Sequence, residues 1–369
     1  MDRGCLSSVI CTGRRLQQLF TLSTHWKAYD IFHATKTTAL RSSRRAIIEL
    51  ATHFKAITQS LSSSSFPSEE DREKAALLLF QEVSLISLWG NATDLSLLPD
   101  LSHSALQKLQ GAAARQASAG NLLANDLPAA FEVLRGLQKA GKPRRVDIVL
   151  DNAGFELYVD LVLAAYLLVA GLADSVILRP KSMPWFVSDV VAADLYGLLN
   201  ALADPAFFGD DVAEAEAADL RFLFEKLSVL HAEGQMILRP DAFWTSAHSF
   251  WRLPSQAPDL WGDLKDAALV VFKGDLNYRK LVGDVMWPPT TPFSEAIGPL
   301  NEGLRVLALR TCKGDVVVGL PEGRDEELRH TEGAAGQFDE EAKKDDKARR
   351  WAWCGKWAVV QFADGKGGE

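Results

Sequence analysis

Arg145 to Leu168 reads RVDIVLDNAGFELYVDLVLAAYLL, and the fold turns on how that stretch is divided. An apolar run from Val146 to Leu150 has the length and β-branching of a buried strand. Asp151 and Asn152 follow at its end, Gly154 breaks the chain direction, and Phe155 to Ala170 reads as an apolar helix. That helix begins with two carboxylates four residues apart, Glu156 and Asp160. Asp-Asn before a helix serves equally as a turn or an N-cap. Glu156 in the first turn complements the helix dipole as readily as it serves a site. Asp160 is expected to face solvent or a backbone partner, as isolated helical carboxylates do.

Downstream, short β-branched runs alternate with helical patterns. Strands are predicted at Ser175–Leu178, Leu269–Phe272, Val306–Leu309, Val316–Gly319 and Ala358–Phe362, with helices over Asp189–Ala203 and Asp211–His231. Such alternation predicts a largely parallel sheet with helices on both faces. Upstream the pattern is helical from Leu16 to Gln59, and a serine tract at Ser62–Ser65 reads as a linker. Ser68 and Asp71 have capping-box spacing for a helix running towards Leu88. Residues 102–140 are rich in Ala, Leu and Gln and also read as helices. The expected organisation is a helical region over 1–140 and an α/β domain over 141–369. Gly323 to Arg350 reads as a solvated loop, and the tryptophans after it (Trp351, Trp353, Trp357) as core or sheet-edge packing.

Composition narrows the function. The chain has 369 residues, 47% hydrophobic, enough for a large core, and a net charge of −8 that disfavours nucleic acid and anionic membranes as partners. Its longest apolar stretch, Leu157 to Ala173, is short for a membrane span and carries Asp160. Four cysteines and seven histidines lie scattered, without CxxC, HxH or HExxH spacing, which predicts reduced thiols and no zinc-type site. Residues 1–15 make a poor secretory signal, so an intracellular location, cytoplasmic or nuclear, is expected and the Asn91-Ala92-Thr93 sequon is read as coincidental. Gly136 to Lys142 approaches a P-loop, but Pro143 stands where Ser or Thr is required and the segment precedes a strand.

In a parallel sheet, ligands bind beyond the carboxyl ends of the strands. There this sequence sets Asp151-Asn152, then a loop to Asp189, then Gly274-Asp275-Leu276-Asn277-Tyr278-Arg279-Lys280 read as a loop, then Thr311-Cys312-Lys313. Carboxylates with an amide suit a hard divalent cation, and neighbouring Lys and Arg suit a phosphate, so phosphoryl chemistry is predicted.

The segments LWGNATDLSLL (88–98), LDNAGFEL (150–157), PWFVSD (184–189), FKGDLNYRKL (272–281) and RTCK (310–313) together resemble the damage-control phosphatases, in the subfamily marked by an R-T-x-K motif. The resemblance spans Leu16 to Lys366 and implies a three-layer α/β/α sandwich preceded by a helical region. It implies a divalent cation, Mn²⁺ first with Co²⁺, Ni²⁺ or Mg²⁺ as alternatives, held by Asp151, Asn152 and Asp189. It implies substrate contacts from Asp151, Asn152, Asp275, Leu276, Asn277, Tyr278, Arg279 and Lys313, an acidic wall including Glu156, and a motif of Arg310, Thr311, Cys312 and Lys313. The implied catalytic residues are Asp151 and Asp189, and the implied reaction is hydrolysis of small sugar phosphates such as fructose 1-phosphate or fructose 6-phosphate. Because the family includes a protein named acidic residue methyltransferase, a carboxyl methyltransferase using S-adenosylmethionine is the alternative, and an inactive relative the third. Relatives carry more helical sequence ahead of the position of Leu16, and residues 1–15 match nothing in the family, so a shortened cover over the pocket is expected.

Overall fold

A computed structural model describes residues 3–63, 68–90, 120–331 and 349–365. The sequon at 91–93, most of the 88–98 motif, residues 102–119 and the greater part of the 323–350 loop lie outside the described residues. Among those described, seven strands form one sheet: β1 (Leu122–Asn125), β2 (Arg145–Val149), β3 (Ser175–Arg179), β4 (Met236–Leu238), β5 (Leu269–Lys273), β6 (Arg305–Thr311) and β7 (Ala358–Asp364). Their order is β1-β7-β6-β5-β2-β3-β4. The five strands from β4 to β6 are mutually parallel, whereas β7 runs against β6 and alongside β1.

The central strands are apolar on both faces because both faces are covered. Along β5, Leu269 and Val271 point into one core while Val270 and Phe272 point into the other. The first core is built with α3 (Arg44–Ser63), α4 (Glu69–Trp89), α5 (Leu127–Lys139), α6 (Phe155–Val169), α7 (Ala192–Ala203) and α8 (Glu214–Ala232), through Phe54, Phe80, Phe131, Val159, Leu198 and Leu223 among others. The second holds Trp244, Phe250, Tyr278, Phe293, Trp351 and Trp357. The result is the three-layer sandwich, with Trp351 and Trp357 packed as expected. Ahead of α3 lie α1 (Arg3–Leu22) and α2 (His33–Ser42). The helix expected after the serine tract is α4, and the Ser68 hydroxyl accepts the Asp71 N–H as its N-cap. No helix among the described residues is long and apolar enough to cross a membrane.

Several expectations are corrected. Leu122–Asn125, read as helical, is a strand that leans on β7 for its hydrogen bonds. Met236–Leu238 has only three residues, too few for a visible pattern, yet extends the sheet beyond β3. Val316–Gly319 is no strand: its valines fill the second core from an extended segment, and the Val318 carbonyl accepts the Gln361 side-chain amide instead of a ladder bond. The GDLNYRK stretch is a helix, α9 (Gly274–Leu281), with Asp275 in its first turn and Arg279 and Lys280 in its last, as the helix dipole favours. Asp160 does not meet solvent, because α6 is apolar all round and enclosed by the sheet, α3 and α4.

Candidate active site

β2 connects onward to β3 on one side, whereas β5 returns to its other side, so the topology switches between β2 and β5. Crevices form at such switch points, beyond the strands' carboxyl ends. Here Asp151 follows β2, Lys181 follows β3, Gly274 and Asp275 follow β5, and Lys313 follows β6.

The Asp151 and Asp189 segments are laced together by backbone. The Val190 N–H donates to the Asp151 carbonyl at 2.8 Å, the Ala153 N–H to the Ser188 carbonyl at 2.7 Å, and Asn152 bridges Asp189. The loop reaching Asp189 passes through left-handed backbone at Phe186 (φ 41°) and Val187 (φ 69°), a conformation that costs a β-branched residue about 1–3 kcal/mol. Buried Trp185 anchors it.

Asp151 and Asp189 are 4% and 2% exposed. Burial pushes the Asp151 carboxyl up to about 7, with Asp189 adding to the rise and Lys181 and Lys313 opposing it. Burial likewise raises Asp189 to about 6, offset by Lys181, increased by Glu156 and offset again by Lys36. Glu156 is raised to about 8 by burial, against the pull of Lys273. Three buried carboxyls thus press on one another across one small volume. Lys181 sits among them, 1% exposed, donating to the Leu150 carbonyl at 2.9 Å and to Asn277 Oδ1 at 3.2 Å. It lies 3.5 Å from Asp189 Oδ2, an ion-pair contact too long for a good hydrogen bond, so that oxygen has no hydrogen-bond partner among the described residues.

This donor set fits a hard cation. Among the described residues no group of three or more His, Cys, Asp and Glu gathers in a metal-holding arrangement. Two carboxylates and an amide nevertheless supply three oxygen ligands of the kind Mg²⁺ or Mn²⁺ takes. The Asp189 oxygen left without a hydrogen bond and the mutual repulsion of the carboxyls are what a divalent charge relieves. Gly274 keeps the space open: it holds φ +82°, and a Cβ there would fall 1.8 Å from Asp151 Oδ2. Asn152 directs its amide nitrogen inward, 3.1 Å from Asp151 Oδ2 and 2.8 Å from Glu156 Oε2, while its oxygen accepts from the Ser188 hydroxyl at 2.6 Å. A half-turn of the amide presents the oxygen instead.

Around this centre the expected residues divide. Asp275 Oδ1 accepts from the Arg310 guanidinium (Nε at 2.8 Å) and the Lys313 N–H (3.0 Å), so the acid after β5 and the motif after β6 form one unit. Arg310 is wholly buried and also donates to the Gly314 carbonyl at 2.8 Å and the Val316 carbonyl. The Lys313 side chain is exposed, yet its charge reaches Asp151. Arg279 is paired with Asp284 at 2.7 Å, and Leu276 is half-buried. Two others are turned away: Tyr278 donates to Gln361 Oε1 at 2.7 Å and stacks on Phe293, and Cys312 is buried, its thiol pushed up to about 11. Asn277 meets the centre through Lys181, accepting from it at 3.2 Å, while its amide nitrogen donates to the Leu150 and Lys273 carbonyls at 3.1 and 2.8 Å. Thr311 Oγ1 is buried without a partner among the described residues.

Sequence reasoning assigned no role to Lys181 or Lys273, and named Gly274 only as the start of a loop. Lys273 ends β5 and donates to Asp160 Oδ1 at 2.7 Å and to the Ser87 hydroxyl at 2.7 Å, with Glu156 Oε1 3.8 Å away. Lysines closing apolar strands, in LVVFK and two residues after VILR, were the available signal.

A family model described as the damage-control phosphatase ARMT1-like domain matches residues 8–328. The chain belongs to this damage-control phosphatase family. Similar relatives are each named damage-control phosphatase ARMT1. The Xenopus tropicalis protein is 35% identical over 358 residues, covering 95% of this chain and 72% of the relative. The Homo sapiens protein is 32% identical over 352 residues, with the same coverages. A solved DUF89 family protein from Pyrococcus horikoshii overlaps 86% of this chain and 93% of its own, at 13% identity and a TM-score of 0.41.

Proposed function

We propose that the protein is a divalent-cation-dependent phosphomonoester hydrolase acting on small sugar phosphates of the fructose 1-phosphate or fructose 6-phosphate type, clearing reactive phosphorylated metabolites. One observation carries the reading: two buried carboxyls, Asp151 and Asp189, face each other at the switch point with raised proton affinity, beside the cations Lys181 and Lys313. Asp151, Asn152 and Asp189 would hold the cation, Mn²⁺ first among the candidates. When bound, it supplies Lewis-acid stabilisation of charge on phosphoryl oxygens.

The chain's own groups do the rest. Lys313, exposed at the rim, reaches a phosphate oxygen, while the Lys181 charge, fixed by two acceptors, holds the field at the centre constant. Asp275 accepts from a sugar hydroxyl through its second oxygen, because its first is committed to Arg310 and Lys313 N–H. Arg279, aligned by Asp284, closes the same rim. Positioning and electrostatics of this kind are most of what phosphoryl transfer requires. Water is assigned as the nucleophile, since Asp151 is already assigned to the cation.

The test is a screen of sugar phosphates with Mn²⁺, Co²⁺, Ni²⁺ and Mg²⁺, alongside calorimetry with S-adenosylmethionine. The expected outcome is phosphate release with at least one cation and no heat with S-adenosylmethionine. Full activity in Asp151→Ala, or tight S-adenosylmethionine binding without phosphate release, overturns the reading.

A further inference from the structure

The two site loops share a support outside the site itself, on α2. Lys36 is 6% exposed, and its ammonium donates to Asp30 Oδ2 at 2.9 Å and to Asp194 Oδ2 at 2.8 Å. The same Asp194 oxygen accepts the Val191 N–H at 2.8 Å, which fixes the entry of α7. Val191 lies two residues after Asp189, and the Lys181 N–H donates to the carbonyl of Val190 between them at 2.7 Å. Through Asp194, therefore, the Lys36 charge grips the backbone that carries Asp189.

The other loop meets the same turn of helix. Gly154 follows Asp151-Asn152 with φ +71°, and a Cβ on it would stand 3.6 Å from the Leu40 N–H nitrogen and 3.8 Å from the Lys36 carbonyl. α2 is thus pressed against the Asp151-Asn152 turn while its lysine is tied to the Asp189 loop. Asp30 completes the joint by accepting the Phe32 N–H at 2.8 Å at the start of α2.

We infer that Lys36 is a positioning residue: its ion pairs with Asp30 and Asp194 lock α2 across the two loops and fix the separation of Asp151-Asn152 from Asp189. The inference rests on the proposed cation site. Residues that orient ligands from behind change cation affinity by roughly 10–100-fold when removed. A merely structural lysine would change stability alone.

Mn²⁺ affinity is measured by isothermal titration calorimetry on the chelator-treated full chain, with melting temperature followed in parallel. Lys36→Met is expected to weaken Mn²⁺ binding by about 10–100-fold. Lys36→Arg is expected to recover most of that loss, since a cavity of about 270 Å³ bordered by Lys36, Asn200 and Asp204 has room for the guanidinium. Ile57→Ala, in the core on α3, is the control: it lowers the melting temperature and leaves Mn²⁺ affinity at the wild-type value. If Lys36→Met does not fold, Asp194→Asn replaces it, keeping an acceptor for Val191 while removing the charge that ties Lys36 to the Asp189 loop. Wild-type affinity in the Lys36 or Asp194 variant overturns the inference, as does an equal loss in Ile57→Ala. Absence of Mn²⁺ binding in the unaltered protein contradicts the proposed function instead, so the two failures are distinct.

Discussion

Replacing Asp151 with Asn should make the cation-free protein more stable at pH 8, although it removes a proposed ligand of the cation. The Asp151 carboxyl rises from its ordinary 3.8 to about 7 on folding, chiefly because burial penalises its charged form. A carboxyl raised in this way binds more protons folded than unfolded between those two values, so folding stability falls as pH climbs from about 4 to about 7 and is level above. The interval is a little over three decades of proton affinity, and at about 1.4 kcal/mol each the penalty slightly exceeds 4 kcal/mol. Asp189 titrates with Asp151 as a pair, so one substitution recovers only part of this, about 1–4 kcal/mol. Asn keeps the shape beside Gly274 and carries no charge to bury. The assay is urea denaturation of chelator-treated wild type and Asp151→Asn at pH 5, 6, 7 and 8. Wild type should weaken across the series, the variant should be flatter and stronger at pH 8, and added Mn²⁺ should stabilise only wild type. A variant weaker than wild type at pH 8 without cation would refute the reasoning.

Asp160→Leu leaves Lys273 buried with Ser87 as its hydrogen-bond partner and Glu156 Oε1 3.8 Å away, and should cost about 3–5 kcal/mol by urea denaturation, most of it regained in the double variant with Lys273→Met; equal losses in single and double variants contradict this. Gly274→Ala forces a Cβ onto Asp151 and a side chain into left-handed backbone, so melting temperature should fall and the Mn²⁺-induced thermal shift should vanish; an unchanged shift speaks against the cradle. Arg310→Lys forfeits contacts that one ammonium cannot make at once, with Asp275 and the Gly314 and Val316 carbonyls, and should cost about 3 kcal/mol and raise KM for the sugar phosphate; an unchanged KM separates Asp275 from substrate binding.

Much of this architecture was legible because strands buried on both faces write themselves as apolar runs. IVL and LVVF were found for that reason, and the polar residues behind them marked the site. β4 was not, since three residues hold no periodicity, and β1 reads as helix until β7 pairs with it. α9 was hidden by its opening glycine, which punctuates a loop locally but here turns the chain out of β5. Asp160 reads as solvated because a lone helical carboxylate usually stays hydrated, but a helix apolar on every side buries whatever it carries, and Lys273, more than 100 residues on, makes that tolerable. No local pattern discloses such a partner. Tyr278 and Asn277 stood in the right motif, yet their side chains serve the core and the end of β2.

The most direct measurement is phosphate release from fructose 1-phosphate and fructose 6-phosphate by chelator-treated protein, before and after Mn²⁺ is restored. The account predicts near-background hydrolysis without the cation, recovery on its return, and no recovery in Asp189→Ala. Hydrolysis at the full rate after chelation would contradict it.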